Sequence, residues 1–245
     1  QHFDKLISMQ EKELSFKKSS KKHQPKGLSI LYEDRDIIVV DKISGLLTMG
    51  TEREKENTAY FLLNEYVKKG NERSKNRIFI VHRLDRDASG ILVFAKNEYS
   101  KRFLQDNWQD FSKKYVAVVQ GSMQEKEGEI SSYLFENNAY RVYSVNDPDR
   151  GKYSVTGYKV VKESEQYSLL EINLFTGRKH QIRVHLAETG HPIIGDKLYG
   201  NGEKGIKRLA LHSFSLTIVH PETNKEMSFE TGIPLYFKTL LKTKD

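Results

Sequence analysis

Residues 77–96 read "RIFIVHRLDRDASGILVFAK". Two apolar runs, 78–82 and 91–95, are rich in β-branched and aromatic residues and have the look of neighbouring buried strands. The joint between them holds two arginines and two carboxylates, Arg83, Asp85, Arg86 and Asp87. A tight turn is ordinarily built from Gly, Asn, Asp or Pro. The charge here exceeds what turning the chain requires, and the joint taken alone has two readings, first a salt-bridged turn and second a chemical site on a rigid scaffold.

Working outward, similar short runs recur from Leu28 onward: "LSILYE", "DIIVVDK", "KYVAVVQG", "GEISSYLFE", "YRVYSV", "YSVTGYKVV", "YSLLEINLF", "LALHSFSLTIVH" and "KEMSFETGI". Turn residues separate them. Helical patterns are few: 58–69, 98–111, 178–189 and the C-terminal "LYFKTLL". Because helices and strands do not alternate regularly, the pattern predicts an α+β fold with a mixed, mainly antiparallel sheet. One catalytic domain is expected over 28–245. Residues 1–27 read as a helix end followed by a Lys/Ser/Pro/Gly tether, with an upstream region expected before Gln1.

Composition narrows the function. No apolar stretch approaches the ~20 residues of a membrane span. There is no cysteine in the 245 residues, which excludes disulfides, thiolate metal sites and cysteine nucleophiles. A cytoplasmic monomer is expected. Neither a G-x-x-x-x-G-K-[ST] nor a G-x-G-x-x-G loop is present, so no nucleotide cofactor is implied. The net charge is +7, of which residues 1–27 carry +4. The remainder is only mildly basic, so a polyanion must be met by local clusters.

Two constellations supply candidates. Asp85, bracketed by Arg83 and Arg86, stands at a strand end; the arginines are placed either to favour its ionised form or to reach phosphate. Asp87 and Ser89 read as turn hydrogen-bonding residues. The second constellation is "TGRKHQIRVHLAETGHPIIGDKLYG", 176–200. Thr176 reads as the cap of a helix whose first turn would hold Arg178, Lys179 and His180. Cations there oppose the helix dipole unless an anion is brought to them. Helical spacing puts Lys179 and Arg183 on one face, away from Ile182 and Leu186. The histidines at 180, 185 and 191 miss the i, i+4 register of a helical metal pair, so no metal is expected, and His185 reads as a buttress of the sheet. Tyr115 in "KKYVAVVQG" has two readings: core, or a ring that stacks on a planar base.

Together, "YEDRDIIVVDKISGLLTM" (32–49), "HRLDRDASGILVFAK" (82–96) and the 176–200 stretch resemble the RluA-type pseudouridine synthases over about residues 28–238. Ala88 replaces the family's usual Thr and Ile43 its usual Pro. The resemblance implies a sheet fold with a central RNA cleft, no metal and no organic cofactor. It also implies Asp85 as catalytic aspartate, Tyr115 as the ring stacked on the target base and Arg183 as the basic partner of the aspartate. Arg83 would fill the space of the flipped nucleotide, with Arg86, Arg178, Lys179, His180 and Gln181 as further RNA contacts. The partner implied is ribosomal or transfer RNA. The reaction breaks N1–C1′, turns the uracil and joins C5 to C1′, with the carboxylate acting as nucleophile at the sugar or as base on a sugar proton. Extruding the uridine costs a few kcal/mol, offset by stacking and phosphate contacts. Two other readings compete: a noncatalytic RNA-binding domain of the same fold, against which Asp85 argues, and a metal-dependent hydrolase using the histidines. An S4-type module is not recognisable in 1–27.

Overall fold

The computed structural model describes residues 24–202, 205, 206 and 208–241. The helix end and tether expected over 1–27 lie outside the described residues up to residue 23. From there a turn, Leu28 N–H to Pro25 O at 3.1 Å, leads into the first strand. The elements are β1 (Leu28–Glu33), β2 (Ile37–Lys42), α1 (Ala59–Lys68), β3 (Phe79–Ile80), β4 (Ser89–Ala95), α2 (Glu98–Asp106), β5 (Ser112–Gln120) and β6 (Glu127–Glu136). They continue as β7 (Val142–Val145), β8 (Lys152–Glu163), β9 (Tyr167–Leu174), α3 (Gln181–Glu188), β10 (Leu211–Val219), β11 (Glu226–Glu230) and α4 (Leu235–Leu240). The α+β reading from the sequence holds: many strands, few helices. The described chain divides into two compact units, one of 24–111 with Ser215–Thr231, the other of Ser112–Phe214 with 232–241.

In the first unit β2 runs antiparallel to β1 on one side and to β4 on the other, in register from Ile37↔Ala95 to Lys42↔Gly90. That register sets the end of β2 beside the exit of the charged joint. Ile37 and Val39 of β2 pack with Ile91 and Val93 of β4, Leu104 of α2, Leu216 and Ile218 of β10 and Phe229 of β11. Ile38 and Val40, pointing the other way, are also fully buried, which explains the unbroken apolar run "IIVV". Helix α1 starts at a Thr58 cap whose hydroxyl accepts the Phe61 N–H at 3.1 Å, and it buries Ala59, Leu63 and Val67 at i, i+4, i+8.

Two expected boundaries are corrected here. The helix read over 98–111 stops at Asp106, because Asn107 closes it and Trp108 turns back to stack on His82, ring centroids 4.2 Å apart. The strand read over 78–82 shrinks to Phe79–Ile80, paired with Ala95 and Phe94 of β4. Beyond Ile80 the backbone leaves the ladder, and Leu84 bonds through both its N–H and its C=O to the Thr48 hydroxyl.

In the second unit β5, β9, β8, β6 and β7 lie side by side, each antiparallel to its neighbour. Helix α3 lies against β6, β7 and β8, with Val184 packed on Leu134 and Val142. Among the described residues no helix is long and apolar enough to cross a membrane.

Candidate active site

Asp85 sits, half-buried, on the 81–88 joint of the first unit. That joint is gripped from the 42–48 loop. Thr48 Oγ1 accepts the Leu84 N–H at 3.2 Å and donates to Leu84 O at 2.8 Å. Gly45 N–H donates to Arg86 O at 2.8 Å, and Ser44 Oγ to Asp87 O at 2.6 Å. Lys42, with no solvent exposure, extends its Nζ to Leu46 O and Ala88 O at 2.7 Å, Ile43 O at 3.0 Å and Arg86 O at 3.1 Å. The carbonyls of Leu84, Arg86, Asp87 and Ala88 are therefore all fixed. Burial pushes the Lys42 ammonium down to about 8, with Asp85, Asp87 and Asp41 pulling it back up. It stays charged at neutral pH, and the charge of Asp85 is one reason.

The neighbours of Asp85 are placed differently from one another. Arg86 is exposed and pairs with Asp87 at 3.2 Å, and Arg83, also exposed, has Nη1 3.5 Å from Met49 Sδ. Of the two departures from the resembled family, Ala88 is buried, and Ile43 uses an N–H that proline lacks, donating to Gly27 O at 3.1 Å.

In the second unit Arg183 lies on α3 and is nearly buried, at 9% exposure. It forms a two-pronged pair with Asp196, Nε to Oδ2 at 2.8 Å and Nη2 to Oδ1 at 2.9 Å. Its guanidinium stands 5.2 Å over the Tyr199 ring. The Asp196 carboxyl, which burial alone would raise, is held below the usual range by Arg183 and by the Tyr199 and Leu198 N–H groups. Tyr115 is buried at 8% exposure on β5, opposite Ile172.

The expected start of this helix is corrected. Residues 178–180 precede it: His180 takes a left-handed φ of 54° and Gln181 opens the first turn. Thr176 does not cap; its hydroxyl donates to Gln181 Oε1 at 2.7 Å, and that oxygen also accepts the Arg178 N–H at 3.1 Å. Lys179 therefore does not share a helical face with Arg183, and Arg178, Lys179 and His180 lie ahead of the first turn, whose cation is Arg183, met by the Asp196 carboxylate. Lys179 pairs with Glu136 and stands 5.1 Å over the exposed Tyr140 ring. Arg178 is exposed, and His180 Nδ1 lies 2.9 Å from Tyr199 Oη. Gln181 is not placed to touch RNA: it is buried, with Nε2 donating to Val155 O and Thr156 Oγ1, both at 2.9 Å.

His185 buttresses the sheet as expected. Thr156 Oγ1 accepts from Gln181 and lies 2.9 Å from His185 Nδ1, while His185 Nε2 lies 3.0 Å from Ser132 Oγ. Burial lowers the His185 pKa, with the Glu188 charge opposing, and burial followed by the Arg208 charge lowers His212 to about 3. Below its ordinary value near 6.5 each histidine takes up protons when unfolded that it does not take up when folded, so stability falls with pH there. Between pH 6.5 and 5 the loss from His212 alone is about 2 kcal/mol. Urea unfolding at pH 7 and pH 5 is expected to show a lower midpoint at pH 5; equal midpoints would refute both buried neutral imidazoles.

Among the described residues one trio has potential metal-ligand atoms close together: Asp34, Asp36 and His220. Its hydrogen bonds give it another job. His220 Nδ1 accepts the Glu222 and Thr223 N–H groups at 3.3 and 3.2 Å, so Nε2 bears the proton and donates to Asp34 Oδ2 at 2.8 Å. A protonated nitrogen is no metal ligand. Asp34 Oδ1 accepts the Asp36 and Ile37 N–H groups at 2.8 and 2.9 Å, which closes the β1–β2 turn.

Comparison with known proteins agrees with the motifs. Residues 36–188 match the family model described as RNA pseudouridylate synthase. The chain is 36% identical over 220 residues to the uncharacterized RNA pseudouridine synthase YhcT of Bacillus subtilis, covering 88% of this chain and 72% of that one. It is 37% identical over 198 residues to the ribosomal large subunit pseudouridine synthase D of Borreliella burgdorferi, covering 78% and 61%. Among solved structures, human RNA pseudouridylate synthase domain containing 1 aligns with a TM-score of 0.69 and 27% identity, covering 83% and 82%. The chain belongs to the RNA pseudouridine synthase family, and its activity is that of an isomerase.

Lys42, Thr48 and Asp196 hold the candidate residues and were not singled out by sequence. Lys42 looks like a solvent lysine at a strand end. Asp196 had a readable signal in the glycines on either side of it, Gly195 and Gly200.

Proposed function

We propose that this enzyme isomerises one or a few uridines of large-subunit ribosomal RNA to pseudouridine, in the cytoplasm, as a monomer and without metal or organic cofactor. Asp85 is the carboxylate that acts on the uridine, Tyr115 the ring that receives its base, and Arg183 a basic residue that the reaction requires. Arg83, Arg86, Arg178, Lys179 and His180 meet the RNA, their charges on phosphate and His180 by hydrogen bonding. Gln181 is left out because its amide is engaged within the fold.

The observation that carries the reading is the restraint on Asp85. A carboxylate on a joint whose neighbouring carbonyls are fixed by Lys42, Ser44, Gly45 and Thr48 has little freedom to lose when it meets a substrate. The ribosomal substrate is favoured by the name of the Borreliella burgdorferi relative.

Purified chain incubated with large-subunit ribosomal RNA in the presence of a chelator is expected to produce pseudouridine at one or a few mapped positions. Modification of transfer RNA alone would overturn the substrate. Activity abolished by chelator and restored by metal would overturn the cofactor-free chemistry, and no product on either RNA the activity itself.

A further inference from the structure

A carboxylate with a fully buried side chain is a costly thing to fold. Asp196 has 0% side-chain exposure, and its desolvation alone amounts to several kcal/mol. A buried ion pair is weak evidence of added stability, because well-packed apolar residues often serve as well. What the pair does supply is direction. A guanidinium is planar, with its donors in a fixed fork, so engaging two of them on one carboxylate sets the orientation of the rest.

Everything around Asp196 restricts that carboxylate. Its Oδ1 accepts the Leu198 N–H at 2.9 Å and the Tyr199 N–H at 3.0 Å besides the Arg183 prong. The turn carrying it is closed by glycines that nothing larger replaces. Gly195 has φ +76°, and a Cβ there would meet Arg208 O at 2.1 Å; a Cβ on Gly200 would meet Asp196 O at 2.3 Å. The same turn delivers Tyr199 beneath the guanidinium. Its hydroxyl is pinned by the Val142 N–H at 3.0 Å and by His180 Nδ1 at 2.9 Å, so the ring cannot swing away. Arg183 is thus restrained along one edge by a carboxylate and across one face by a ring.

We propose that Asp196 is a positioning residue for the isomerisation: through its two-pronged bond it fixes the plane of Arg183, and so the direction of the guanidinium donors left for the reaction. This rests on the catalytic role given to Arg183 above. Asp196 adds a negative charge beside Arg183 and hence contributes orientation rather than attraction for RNA. Replacing it should harm the chemical step and spare binding, a split that a simple loss of fold does not produce.

The test compares the parent, Asp196→Asn, Arg183→Lys and the double variant, by single-turnover pseudouridine formation and by RNA dissociation constant. Asp196→Asn is expected to slow the chemical step about 100-fold. RNA affinity should be equal to the parent's or tighter. On the Arg183→Lys background the same change should slow the step less than about 3-fold, because an ammonium has no plane to orient. A parent-like rate for Asp196→Asn, losses that multiply in the double variant, or RNA affinity falling in step with the rate would each overturn the proposal. An Arg183→Lys protein as fast as the parent would overturn the role of Arg183 and this proposal with it, and that failure is read from the one variant alone. Should Asp196→Asn not fold, the parent still decides: its Arg183 Nε–H, assigned in a 15N spectrum by its absence from Arg183→Lys, is expected to exchange slowly with water. Exchange as fast as that of exposed arginines would overturn the fixed plane.

Discussion

Asp85→Asn is expected to bind RNA as the parent does and to form no pseudouridine, a loss of at least about 10⁴-fold in rate. The substitution keeps the shape of the side chain and removes its charge. It leaves the backbone of the joint untouched, because the bonds that hold the joint run to the carbonyls of Leu84, Arg86, Asp87 and Ala88. An amide is neither a nucleophile at a sugar carbon nor a base, so both chemical roles open to the carboxylate vanish together. Affinity is not expected to fall, since a carboxylate near a polyanion opposes binding if it acts at all. Mapping of the modified position alongside filter binding separates the two quantities. Appreciable turnover by the variant would move the chemistry to another residue, and a large loss of affinity would make Asp85 a structural anchor of the RNA contact.

How far the sequence disclosed this arrangement depends on the distance over which each residue is held. The strands were legible because β-branched and aromatic runs satisfy themselves by pairing with any antiparallel neighbour; "LSILYE" forms β1 over the same residues, Leu28–Glu33. The start of α3 is not legible in the sequence because a threonine ahead of a helical run usually caps it, while here the side chain of Gln181, five residues on, takes the Thr176 hydroxyl and displaces that local preference. Asp85 was conspicuous because the chain offered more charge than a turn needs. Lys42 was not, because nothing local tells a lysine at the end of "DIIVVDK" that it will be buried. Its acceptors at Arg86 and Ala88 lie 44 and 46 residues away, brought to it by the register that sets Lys42 opposite Gly90. Sequence patterning reports which face of an element is apolar; it is silent on a polar group whose partners arrive from another loop.

That dependence makes Lys42 the second large effect. Lys42→Met keeps length and volume and removes the ammonium, leaving the carbonyls of Ile43, Leu46, Arg86 and Ala88 without the donor that joins them. A buried charge together with all its partners is often replaceable by apolar residues without loss, but here the partners are backbone and stay. Each buried acceptor left unsatisfied costs about 1–3 kcal/mol, Arg86 O being spared because it keeps the Gly45 N–H. Part of this is returned, because burial already holds the ammonium down to about 8 and the variant no longer carries that desolvation. The net expectation is a loss of about 3 kcal/mol, seen as a lower denaturant midpoint at unchanged slope. Activity should fall further than stability explains, even well below the unfolding transition, because the Arg86 and Ala88 carbonyls that flank Asp85 in the chain are then tied less tightly to the 42–48 loop. A Lys42→Met protein as stable and as active as the parent would show that the joint holds its shape without the lysine, and that Asp85 is placed by some other restraint.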